Sequence, residues 1–89
     1  MTHDEIVKAM FDNFLEEIES SEKYVQMGEC AKKMNDADLA DGLFEMAYDE
    51  YTHAEFIYDT IEGQGIAIPE TIKAKWKALD EKMEAEFQE

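Results

Sequence analysis

The sequence predicts an all-α fold, an antiparallel helical hairpin followed by a shorter C-terminal helix. Three observations carry this expectation. Apolar residues recur at three- and four-residue steps over two long stretches, the only proline is Pro69, and turn formers cluster at 35–38 and 63–65.

The first helix is expected over about residues 4–34. Thr2 followed by Glu5 has the spacing of a capping box, in which a hydroxyl and a carboxylate satisfy each other's orphan amide donors. Beyond it Ile6, Met10, Phe14 with Asn13 beside it, Glu17, Ser21, Tyr24, Met27, Ala31 and Met34 form one stripe. Such a helix is about 45 Å long, more than one small core covers, so other long helices must lie alongside it. Gly28 interrupts it at a cost of about 1 kcal/mol, and its missing side chain suits close packing.

Asn35-Asp36-Ala37-Asp38 supplies a turn and an N-cap for a second helix over about 37–62. Leu39, Leu43, Met46, Ala47, Glu50, His53, Ala54, Ile57 and Ile61 lie on one side of it, and Gly63-Gln64-Gly65 ends it. A GxG with no strand before it reads as a helix stop, not a phosphate cradle. Pro69 opens a third helix over about 70–87, whose stripe of Ile72, Trp76, Leu79, Met83 and Phe87 is packing surface. Trp76 is expected to anchor it on the hairpin, and residues 1–89 to form a single domain.

Composition narrows the function. At 89 residues and 45% hydrophobic the chain can build a core, but one so short gains much from a metal or an oligomer partner. Twenty-three acids against eight bases, all lysine, give a net charge of −15, the wrong sign for gripping nucleic acid or an anionic membrane. That field concentrates cations. The single cysteine, Cys30, has no disulfide partner and no CxxC pair, and reads as a small buried hydrophobe. No stretch approaches the roughly 20 apolar residues of a membrane span, and no basic region followed by an apolar run opens the chain, so a cytoplasmic protein is expected.

Glu17, Glu50 and His53 fall on the apolar stripes and not on the charged faces. A carboxylate placed there is protonated, paired or bound to a metal, because leaving it buried and unpaired is costly. Glu50 and His53, three positions apart, share one side of a helix and can reach one ion. Fifteen glutamates among 89 residues make that spacing weak by itself. Register is an independent argument: with the turn near Asn35, the residue opposite Glu17 is His53. A helical-bundle di-iron site takes a glutamate from each of two helices and a Glu-x-x-His from each of two others, and a two-fold homodimer of the hairpin supplies that set.

Glu17 with Tyr24 seven residues on, and Glu50-Tyr51-Thr52-His53 thirty-three residues after Glu17, resemble half of a bacterioferritin or rubrerythrin bundle. The resemblance covers roughly residues 5–62. It implies a ferritin-like fold whose four-helix bundle is completed by homodimerisation, with Glu17, Glu50 and His53 as iron ligands and Tyr24 near the iron pair as a catalytic residue. Two-helix relatives housed in encapsulin shells are similar in size and in their extra C-terminal helix. The chain departs from rubrerythrin-type peroxidases in having Ser20 where an additional glutamate is usual, and in lacking a rubredoxin domain. Its end, Ala85-Glu86-Phe87-Gln88-Glu89, does not resemble an encapsulin-targeting tail, so loading into such a shell is not expected.

The leading expectation is a homodimeric or higher ferritin-like protein that binds two iron ions and oxidises Fe(II) with dioxygen or peroxide. Glu17 is a carboxylate ligand, Glu50 a bridge and His53 a terminal nitrogen donor. One alternative is a manganese-, zinc- or iron-binding assembly without catalysis. Another is a metal-free helical assembly in which Met10, Met27, Met34, Met46 and Met83 lend adaptable packing. Glu16, Glu19 and Glu22 read as a solvated face, His3 as an exposed N-terminal residue, and Tyr51 as an interface side chain.

Overall fold

A computed structural model describes residues 1–87 of the chain; Gln88 and Glu89, the end of the sequence compared above with a targeting tail, lie outside them. The described chain is all-helical: α1 spans His3–Lys33, α2 Ala37–Gly63 and α3 Glu70–Phe87. None of these helices is long and apolar enough to cross a membrane.

Local chemistry sets each boundary. At the start of α1, Thr2 Oγ1 accepts from the Glu5 amide at 3.1 Å while the Thr2 amide donates to Glu5 Oε1 at 3.0 Å. Asn35 takes the left-handed conformation, φ 60°, which turns the chain so that the Asp36 amide donates back to Ala31 O at 3.0 Å. The Asp36 carboxylate then accepts from the Leu39 amide at 3.2 Å and caps α2. Gly65, φ 71°, closes that helix, and Pro69 O accepts the first α3 amides, Ile72 and Lys73, at 3.0 Å each.

α1 and α2 run antiparallel through contacts that step evenly along both: Gly28 against Phe44, Ser21 against Ala47, Glu17 facing His53, and Phe14 against Tyr58. The α2 side of this seam is Ala40, Ala47, Ala54 and Ile61 at seven-residue steps, mostly small residues that let the helices approach. A Cβ at position 28 would lie 2.8 Å from the Phe44 ring, so glycine is needed there by contact, not by backbone conformation.

α3 covers one side of the hairpin. Leu79 and Met83 are buried with Phe14, Ile18 and Val25, and Trp76 stacks on Tyr51 (centroids 5.4 Å, 15° between planes) and on Tyr58 (5.5 Å, 21°). The expected anchoring by Trp76 is therefore seen.

Two sequence readings are corrected by this packing. The single α1 stripe divides: Phe14, Ser21 and Ala31 are buried, whereas Ile6, Met27 and Met34 are exposed. Cys30 is exposed, not buried. It precedes buried Ala31 by one residue, and the roughly 100° turn between neighbours on a helix rotates it off the seam.

Candidate metal centre

Glu17 sits near the middle of α1, and Glu50 and His53 near the middle of α2. Both helices present them on the side away from α3. One ligand atom from each of the three residues lies within 4.8 Å of the others, the spacing of donors around a single ion. His53 Nδ1 stands 3.6 Å from Glu17 Oε2, so the residue placed opposite Glu17 by counting through the turn does face it.

The electrostatics of the three residues are unbalanced. Glu17 Oε2 is buried and has no hydrogen-bond partner among the described residues. Burial, and then the neighbouring Glu50 carboxylate, raise the Glu17 carboxyl from 4.5 to about 7, while His53 acts in the opposite direction. A polar atom left in this state costs free energy that a cation would offset. The donor set of two carboxylates and one imidazole fits a divalent iron, manganese or zinc ion, and three donors on an open face leave coordination positions for groups from outside the chain.

The surroundings divide along the hairpin. His53 is 62% exposed and Glu17 only 19%, so the centre opens on the α2 side. Along the same faces, at helical spacings from the ligands, run Ile6, Met27, Met34, Leu39 and Met46, each at least 43% exposed. Towards the turn, Met27, Cys30, Met34, Leu39 and Leu43 line an apolar groove of about 520 Å³.

Tyr24 is not brought to the three ligands within one chain. It is half-buried two turns further along α1, about 10 Å by helical rise, beside Ser20, Lys23 and Met27. Glu16, Glu19, Glu22 and His3 are exposed. Sequence reasoning missed the aromatic cluster directly behind the centre: Tyr51 donates a short hydrogen bond to Asp80 of α3 and stacks on Trp76. The available signal was the seven-residue interval between Tyr51 and Tyr58, which marks a second inward-facing row on α2.

Comparison with family models, curated proteins and solved structures gives no match for this chain.

Proposed function

We propose that the chain is a ferritin-like di-iron carboxylate protein whose centre is shared across a homodimer and oxidises Fe(II) with dioxygen or peroxide. The observation that carries this reading is the orphaned, buried Glu17 Oε2 within 4.8 Å of a carboxylate oxygen and an imidazole nitrogen. A second copy doubles the donor set to four carboxylates and two imidazoles, the complement of a helical-bundle di-iron site. The same pairing covers the exposed Met27, Met34, Leu39 and Met46.

In this reading Fe(II) is the substrate. Glu17 gives up its proton on binding and supplies a carboxylate oxygen, Glu50 bridges between ions, and His53 donates a ring nitrogen. Hard carboxylate oxygens favour Fe(III), and an imidazole suits Fe(II), so the mixed set holds both states. The surrounding methionines and leucines keep bulk water off the buried side. Tyr24, two turns from Glu17, is assigned here to the partner-facing surface, where it reaches the centre only in the dimer.

The test is anaerobic loading with Fe(II) followed by oxygen, with Fe(III) formation followed optically. Oxidation faster than in buffer, abolished by Glu50→Ala, is expected. Iron retained without accelerated oxidation would replace catalysis by a metal-binding role, in which manganese or zinc could use the same donors.

A further inference from the structure

Behind the metal centre, on the side covered by α3, the aromatic rings form a connected row. Tyr48 stands 5.9 Å from Tyr51, Tyr51 stacks 5.4 Å from Trp76, and Trp76 stacks 5.5 Å from Tyr58 and packs 5.9 Å from Phe14. The row touches the centre's own residues in sequence: Tyr51 follows Glu50, and Phe14 lies one helical turn before Glu17. Since successive helix residues are rotated by about 100°, Glu50 faces the open side while Tyr51 faces α3.

Within that row Tyr51 alone has a carboxylate in place to take its proton. Its phenol donates to Asp80 Oδ1. Burial first, and then the hydrogen bond to Asp80, push the phenol's pKa well above its ordinary value of 10.0, so Tyr51 stays protonated and cannot be oxidised by way of a free phenolate. Loss of an electron from such a ring requires that the proton leave with it, and an acceptor already hydrogen-bonded to the hydroxyl removes the need for water to reach the site.

We propose that Tyr51 is a one-electron donor to oxidants formed at the Glu17, Glu50 and His53 centre, with Asp80 receiving its phenolic proton. This rests on the iron reading given above. In the step, the Tyr51 O–H bond breaks and the proton passes to the Asp80 carboxylate. The electron goes to a hydroxyl-radical-class oxidant, the product of Fe(II) meeting peroxide, which takes up a solvent proton and becomes water. An external one-electron reductant of the ascorbate class then restores the ring through Tyr48, which is 46% exposed, and the proton returns from Asp80. The row thus carries oxidising equivalents away from the ligands to the surface.

The experiment uses the metal-free full chain and flash-generated tris(bipyridyl)ruthenium(III) as oxidant, with tyrosyl radical followed by transient absorption. Expected is a phase whose rate does not depend on buffer-base concentration. Tyr51→Phe should remove it, and Asp80→Asn, which keeps an acceptor oxygen but is not a base, should slow it by about 100-fold. Equal, buffer-dependent radical yields in the unmodified chain and Asp80→Asn would overturn the proposal. If Asp80→Asn does not fold, buffer dependence throughout in the unmodified chain overturns it equally. No metal is present in this assay, so a failure removes the relay and leaves the iron reading to the oxidation test above.

Discussion

On the face covered by α3, the buried hydroxyl of Ser21 donates to Ala47 O at 2.8 Å, while on the opposite face the buried Glu17 Oε2 has no partner among the described residues. The same contrast holds for apolar groups. Phe14, Val25 and Leu79 are essentially inaccessible, whereas Met34 across the hairpin is 74% exposed. One face is satisfied inside a single chain, and the other presents both an unmet carboxylate and unmet apolar surface. Stability and function should therefore separate by face, and substitutions can test whether they do.

The largest effect is expected on the covered face. Trp76→Ala removes the ring held between Tyr51 and Tyr58 and should lower unfolding free energy by about 3 kcal/mol in urea titrations, with metal affinity per folded chain unchanged. Loss of metal binding in folded Trp76→Ala would show that the two faces are not separable.

Next is the open face, where Met27→Glu places a charge on the surface assigned to the partner. It should weaken the homodimer by about 2 kcal/mol in sedimentation velocity. Because Met27 is 45% exposed in the single chain, the melting of the monomer should move by less than about 0.5 kcal/mol.

A pH series sharpens the contrast. The folded chain holds the Glu17 carboxyl at about 7 against 4.5 when unperturbed, so the folded state keeps a proton that the unfolded state releases. Its contribution to stability is complete below about pH 4.5 and is lost as pH rises through about 7. The melting temperature of metal-free protein should fall over that window, and Glu17→Gln should flatten the fall. Parallel curves for the two proteins would contradict the assignment of Glu17 as the unmet group.

The smallest effect is at the seam the faces share. Gly28→Ala gains about 1 kcal/mol of helix propensity but drives a methyl to 2.8 Å from the Phe44 ring, so a net loss of about 1 kcal/mol is expected in thermal unfolding.

What could be read beforehand was local. The Thr2 and Glu5 capping box, the Asn35 turn and the Gly65 stop each depend on residues within a few positions, and each is present as hydrogen bonds or backbone angles. The facing of Glu17 and His53 was also legible, because a turn of three residues leaves little slack when counting along two straight helices. The division of the α1 stripe was not. Phe14 and Met27 are both apolar at helical spacing, and which of them is covered depends on the side to which α3 returns, a non-local choice. The Tyr51 to Asp80 hydrogen bond was hidden for the same reason, since it joins residues 29 apart on helices whose mutual placement spacing alone does not encode.

The most direct test of the shared centre is metal analysis of the size-separated protein after anaerobic Fe(II) addition, comparing the unmodified chain with Glu50→Ala. The account predicts about one iron per chain in a dimer or larger species, lost in the variant. No iron above background in the unmodified chain, or equal iron in both, would contradict it and leave Glu17, Glu50 and His53 as an incidental polar cluster.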